Sequence, residues 1–456
     1  MPDRLPSRRP DPGHPARWAV PLLVVAAALG RAASTGPQAA ADEPRAPAPT
    51  ARLLVHGQEA ERGTLLEVEA SGVRFRPAIG DARLVPWDGI VELSTGSTSG
   101  PAADRSALLW RAHLVGGEVL LGTRQAEADD TEALQLDVAG LGIVRLPLEA
   151  LRRVEALPPD VPLTLDRTDM HPAEPGRDVV YDEVDDRLSG TLLELGREAI
   201  VLEDEGGRER SIAWSRARTL HVAAEGGTAP APLATGLSVE VELTDGSRIP
   251  TASPPRSEGA HLVLVPRSLP SVTWRVPRAA VATLRARGGS FDYATYLPFT
   301  SEVDTGTADH ADVGVDQILA QLWRTRVDRR ADGRPLIVGG TSWRHGFAVH
   351  STSRVRIDLD GKWSTFEVGV GVDDSVLETA PGSSEVVRGD VGARVLGDDR
   401  VLWEAASVKG GEGVTWTGTL DVSGVKTLTL EVDRGPDGLS TLDRADWVRP
   451  LLVRAR

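Results

Sequence analysis

One short apolar pattern returns four times between residues 85 and 284 and constrains the possible folds of this chain more than any other feature. It runs as an apolar residue, a second position that is usually Pro, a third residue, and apolar residues three and six positions beyond the third. It reads Val85-Pro86-Trp87 with Ile90 and Leu93, then Leu146-Pro147-Leu148 with Leu151 and Val154. It returns as Ile212-Ala213-Trp214 with Ala217 and Leu220, and as Val276-Pro277-Arg278 with Val281 and Leu284. Successive starts lie 61, 66 and 64 residues apart. A near-constant period of this size marks repeated supersecondary units. A second pattern ties the first repeat to the third. Gly63-Thr64-Leu65-Leu66-Glu67-Val68 matches Gly190-Thr191-Leu192-Leu193-Glu194-Leu195 at an offset of 127 residues, the offset that also separates Trp87 from Trp214. The simplest account is a duplicated pair, with one pair of β repeats over 51–157 and a second over 158–287.

Within each repeat, apolar residues such as Leu65, Val73 and Phe75, or Leu193, Ile200 and Leu202, sit in short runs broken by Gly and charged residues. Period-two alternation with frequent turn signals means antiparallel β structure. The spacing predicts tandem small β-barrel-like units of the SH3 or Sm-like type. In such a unit the Val-Pro-x motif opens a one-turn helix or the last strand. Units this small are near the lower size limit for independent folding, so neighbours are expected to pack together. Trp87 and Trp214 hold the same repeat position and read as packing residues. The acidic run Asp182, Glu183, Asp185, Asp186 lacks the alternating ligand spacing of a calcium loop and reads as a solvated turn.

Net charge of −15 argues against nucleic acid as a partner, because phosphate binding needs a basic surface. The absence of Cys excludes disulfides, thiolate metal sites and cysteine nucleophiles. At the start of the chain, Arg4, Arg8, Arg9 and Arg17 precede an uncharged stretch from Trp18 to Gly30, and Ala39-Ala40-Ala41 follows. A basic flank, a short apolar core and a small-residue exit read as a secretory signal peptide over 1–41, or as a short anchor if it is retained. Either reading exports the rest to the periplasm, the cell surface or the medium. Residues 42–50, with Pro44, Pro47 and Pro49, read as a linker.

After Gly288-Gly289 the composition changes, and 12 of the 19 aromatic residues lie within 291–447. Roughly eight short strands over about 160 residues predict a jelly-roll β-sandwich for 289–456. An ordered set of motifs lies in this stretch. Pro335-Leu336-Ile337-Val338-Gly339-Gly340 is followed by Trp343 and by Gly346-Phe347-Ala348-Val349-His350-Ser351. Next come Leu359-Asp360-Gly361-Lys362, Val370-Gly371-Val372-Asp373-Asp374, Val422-Ser423-Gly424-Val425 and Ala445-Asp446-Trp447. In this order the segment resembles the carbohydrate-binding module that accompanies family 98 glycoside hydrolases. The resemblance covers about a third of the chain and implies a galactose-binding-like sandwich. It departs from the family where Asp443-Arg444 precedes Ala445, in place of an Asp-His pair.

Sugar rings present apolar C–H faces to aromatic side chains, and their hydroxyls need fixed donors and acceptors. The candidate binding residues are therefore Trp343, Arg344 and His345 between Gly340 and Gly346, with Asp374, Asp443, Arg444 and Asp446. Trp343 is expected either to project into solvent or to plug the end of the sandwich. His350 reads as a core or strand-end residue. Asp373 and Asp374 suit either a structural calcium ion or an Asx turn.

The sequence contains neither a zinc-protease motif nor a nucleophile elbow nor a P-loop. The expected function is that of an exported, non-catalytic glycan-binding protein whose repeats act as spacer or assembly units. The alternatives are an envelope interaction protein without sugar binding and an accessory part of a glycoside hydrolase.

Overall fold

The computed structural model describes residues 51–97, 106–125, 131–161, 163, 167, 170–223, 236–304, 319–378 and 389–454. The expected signal peptide and linker, 1–50, lie outside the described residues. Almost all the regular secondary structure among the described residues is strand. Among the described residues no helix is long and apolar enough to cross a membrane.

Four β units come first, three of five strands and a fourth of six. In the first, Ala51–Val55 pairs with Glu61–Glu69, which pairs with Gly72–Pro77, which pairs with Arg83–Pro86. A single 3-10 turn, Trp87–Gly89, follows Pro86, whose fixed φ suits the entry to the turn. Ile90–Ser94 then returns to pair with Ala51–Val55. The second unit repeats this order from Leu109–Leu114 to Leu151–Leu157, with its own turn at Leu148–Ala150. The third runs from Asp178–Asp182 to Ala217–His221. In the fourth, Ser238–Leu243 pairs with Arg248–Pro250 and with Val281–Arg287, while Arg256–Glu258, His261–Leu264 and Trp274–Pro277 form a separate sheet.

The offset of 127 residues relates equivalent atoms in the first and third units. Trp87 Nε1 donates to the Glu69 carbonyl at 2.9 Å, and Trp214 Nε1 donates to the Gly196 carbonyl at 2.8 Å. A Cβ on Gly63 would come within 2.2 Å of the Arg76 carbonyl oxygen, and one on Gly190 within 2.2 Å of that of Glu203. Only glycine permits these backbone approaches. Both matching strands also bulge at the same place, between Leu65 and Glu67 and between Leu192 and Glu194. Both tryptophans are buried packing residues.

The spatial neighbours are not the sequence neighbours. The last strand of the first unit pairs with the last strand of the fourth, Leu93 facing Leu284. The last strand of the second pairs with that of the third, Val154 facing Leu220. The second and fourth units meet at Val119 and Arg248, where Ser247 Oγ accepts the Leu121 N–H. Dividing the chain at 157/158 therefore separates units that pair in space. The seam between the second and third units buries Glu155, which accepts from Arg111 Nε at 2.7 Å and lies 3.2 Å from His113 Nε2. The hydrogen bond and charge of His113, with Arg111 and Arg153, hold the Glu155 carboxyl well below the usual range against the opposing effect of burial.

The sandwich follows. One sheet runs in the order Arg326–Val327, Gly346–His350, Arg444–Arg454, Trp363–Val372, Thr415–Trp416. The other runs Phe299–Val303, Ser353–Asp358, Thr427–Arg434, Asp390–Gly397, Arg400–Lys409. Their inner faces enclose Phe347, Trp447, Phe366, Val355, Leu430 and Val395.

This sandwich shares apolar packing with the units before it. Phe291–Tyr293 pairs with Arg444–Arg454, and Phe291, Tyr293 and Leu451 pack with Val91 of the first unit. Arg344 Nη1 donates to Glu242 and Nη2 to Glu240, both on the first strand of the fourth unit. Arg285 donates to Glu242 at 2.6 Å and to Glu92 at 2.9 Å. Burial alone would raise the Glu240 carboxyl, but Arg344, Arg248 and Arg285 hold it well below the usual range.

Two predictions follow from this packing. Trp214→Ala, which removes a buried ring together with its hydrogen bond, is expected to cost about 3–5 kcal/mol in urea unfolding; a loss below about 1 kcal/mol contradicts the packing role. Arg344→Ala removes one of the two guanidinium groups matched to Glu240 and Glu242 and is expected to cost about 3–5 kcal/mol near neutral pH. Because the folded-state Glu240 carboxyl lies below its unfolded value, its contribution is complete above about pH 4.3 and is lost progressively as pH falls towards the folded value. The gap between wild type and Arg344→Ala should therefore hold from pH 7 to about pH 4.3 and narrow between there and about pH 3; a gap that does not narrow refutes the assignment.

Candidate functional site

Alternation decides which side chains of the larger sandwich sheet face the core. Phe347 and Trp447 point inward, so Ala348, His350, Arg444 and Asp446 lie on the outer face. Two short strands, Leu336–Val338 and Thr341–Trp343, form a hairpin. It packs where the sheet carries Gly346 and Gly371: a Cβ on these glycines would strike Leu336 Cδ1 at 2.6 Å and Val338 Cγ1 at 2.3 Å. Beside the hairpin the outer face is left open as a cleft of about 390 Å³.

The floor of this cleft is ionisable. Asp446 is 1% exposed, and its Oδ2 has no hydrogen-bond partner. Burial, then the charge of Asp373 and a hydrogen bond with it, push the Asp446 carboxyl well above the usual range. Asp373 is tied down. Its Oδ1 accepts from Ser375 N at 2.9 Å and Arg330 Nη1 at 3.3 Å, and its Oδ2 accepts from Ile337 N at 3.0 Å. Arg330 is held in turn by Asp332 at 2.8 Å. One wall is aromatic: Trp323 stacks on His350 with ring centroids 4.1 Å apart and planes 4° from parallel. Burial lowers the His350 pKa, and the ring is 2.7 Å from the Ser351 carbonyl through Nδ1, so that nitrogen carries the proton. Arg444 faces His350 across the strand pair, exposed, with Ser375 Oγ at 3.5 Å.

The structure thus brings Asp373, Arg444 and Asp446 together and separates them from the other candidates. The segment carrying Trp343 is a strand of the hairpin, not an irregular loop. Trp343 packs edge-on against Trp416 at 5.7 Å and is partly buried. Arg344 is committed to Glu240 and Glu242, so it is not an open donor for a hydroxyl. His345 is buried and stacked on Tyr293 at 4.2 Å. Asp374 caps the hairpin turn, accepting from Gly339 N at 3.0 Å and Gly340 N at 2.7 Å. Asp443 is fully buried and accepts from Ser351 Oγ at 2.7 Å; burial pushes its carboxyl up to about 6. Residues 343–345, Asp374 and Asp443 are therefore structural in their contacts.

Of the two readings of Asp373 and Asp374, the contacts present are those of turn and hairpin caps: each of the four carboxylate oxygens accepts from a backbone N–H. Among the described residues no group of three or more His, Asp or Glu side chains is arranged to hold a metal ion. Trp323, Arg330 and His350 are the cleft residues that motif reading missed. For His350 the signal was present, since strict alternation from Phe347 places it on the outer face. For Trp323 there was none beyond its being aromatic.

Residues 303–453 match the family model described as "NPCBM/NEW2 domain". A protein of Renibacterium salmoninarum named "Putative endo-alpha-N-acetylgalactosaminidase" is 29% identical over 103 residues, which is 23% of this chain and 6% of that relative. The chain thus matches only a small part of that relative's length. Among solved structures, the CBM51 module of Clostridium perfringens GH95, determined with methyl-galactose, is 18% identical. That likeness covers 36% of this chain and 99% of that one, with a TM-score of 0.28. The tandem CBM51 modules of a family 98 glycoside hydrolase from Streptococcus pneumoniae are 12% identical, covering 61% of this chain and 88% of that one, with a TM-score of 0.28. The C-terminal part of the chain, over residues 303–453, is an NPCBM/NEW2 domain, a carbohydrate-binding module built as a β-sandwich.

Proposed function

We propose that this chain is an exported glycan-binding protein in which the cleft on the outer face of the sandwich takes a saccharide unit. The observation that carries this reading is the open cleft itself, walled by the Trp323–His350 stack and bordered by the exposed Arg444. The C–H face of a sugar ring lies against the indole, and the guanidinium offers donors to its hydroxyls. The volume of the cleft suits one or two sugar rings. Export rests on the basic and apolar pattern at residues 4–41.

The reading is non-catalytic. Glycoside hydrolysis needs two carboxyl groups on opposite sides of a scissile bond. Here Asp446 shares a hydrogen bond with Asp373, and Asp373 is saturated by two amides and a guanidinium. The β units are proposed to act as a rigid support, because Arg344 and the Phe291 cluster attach the sandwich to them directly. Calcium is proposed to be unnecessary, because the oxygens of Asp373 and Asp374 are already engaged.

Affinity electrophoresis against a panel of polysaccharides tests the cleft. Trp323→Ala is expected to weaken retention at least about tenfold while the melting temperature moves little. No retardation of the wild-type chain by any polysaccharide, together with specific capture of an envelope protein, would turn the assignment to protein interaction. A chelator is expected to change neither retention nor melting temperature; a fall in either restores a metal to the module.

A further inference from the structure

We propose that the cleft selects an anionic saccharide, a uronate or a sulfated sugar, through Arg444 set beside the Trp323–His350 stack. This inference rests on the glycan-binding reading and adds the charge of the ligand. The chain as a whole carries a net charge of −15, so its surface repels anions at long range. The cleft is different in kind. Its acidic residues are Asp332, Asp373 and Asp446. Asp332 accepts from Arg330 Nε and Nη2 and from Arg334 N, and Asp373 accepts from Arg330 and two amides. Asp446 is buried against Asp373, and burial raises its carboxyl well above the usual range. Asp332 and Asp373 are thus matched by guanidinium and amide donors.

The positive side has a group to spare. The Arg330 fork is consumed by its two aspartates. Arg444 is exposed, and its guanidinium lies no closer than 3.5 Å to Ser375 Oγ, the limit of a hydrogen bond. Register places Arg444 directly opposite His350, so its Cβ lies about 5 Å from that of the residue on which Trp323 stacks. A six-membered ring against the indole then brings a carboxylate or sulfate on its edge to the guanidinium fork, a bidentate pairing that a neutral sugar cannot make. Burial and the nearby Arg444 lower the His350 pKa against the opposing Ser351 hydrogen bond, so the ring supplies a face and no charge near pH 7.

The test uses the whole chain in affinity gels containing polygalacturonate, chondroitin sulfate or a neutral galactan, at 20 and 300 mM salt. The wild type should be retarded by an acidic polymer at low salt, more weakly at high salt, and less by the galactan. Arg444→Gln should lose roughly tenfold to a hundredfold of the acidic affinity, Arg444→Lys should recover part of it, and Arg400→Gln, on an exposed edge strand, should change nothing. Equal retention by galactan and acidic polymers, or acidic retention that survives Arg444→Gln, overturns the charge selection and leaves glycan binding standing. Equal losses in Arg444→Gln and Arg400→Gln overturn it as well, since the attraction is then diffuse. If no polymer retards the wild type, both readings fall together.

Discussion

One eleven-residue strand, Arg444–Arg454, organises most of what this protein presents to a ligand. It lies between Gly346–His350 and Trp363–Val372 and also takes Phe291–Tyr293 as a partner near its end. Every buried backbone N–H and C=O needs a partner, so a strand at this position must be paired on both edges. Because side chains alternate along it, the same backbone sends Ala445 and Trp447 into the core and Arg444 and Asp446 into the cleft. Its later residues, Leu451 and Val453, carry the contact with the first β unit. Core, cleft and support are thus registered to one another by a single ladder.

Charge is used in two distinct ways around this frame. Glu155 and Glu240 are buried carboxylates and Glu242 a partly buried one, all matched by guanidinium groups; the Arg344 pairs join the sandwich to the fourth unit, and Arg111–Glu155 ties two strands of the second. Such pairs contribute little net stability beyond offsetting desolvation, but they penalise any arrangement that separates the partners. Asp446 has no such match for its Oδ2. It is buried beside Asp373, and burial raises its carboxyl well above the usual range. The contrast separates carboxylates matched to guanidinium groups from one held against another carboxyl.

Much of the fold class was legible in the chain itself. Alternation in runs such as Val355-Arg356-Ile357 and Phe366-Glu367-Val368 admits only strands with one face buried. The motif order from Leu336 to Trp447 pointed to the carbohydrate-binding module that the family match identifies. The site was less legible. A Trp-Arg-His triplet between glycines looks like an open loop when nothing is known of what lies opposite it. Opposite it lie Glu240 and Glu242 for Arg344, Tyr293 for His345 and Trp416 for Trp343.

Local chemistry in the sequence determined the strands, the turns after Pro86, Pro147 and Pro277, and the glycines at 63 and 190, because each depends on one residue and its near neighbours. Only the tertiary structure decided which units pair, since the last strands of the four units are alike and any two of them could join. It alone decided which acidic residues are spent on amides and guanidinium groups and which one, Asp446, is left unpaired. Burial and hydrogen-bond partners belong to the assembled chain, and a carboxylate's neighbours can come from residues a hundred positions away.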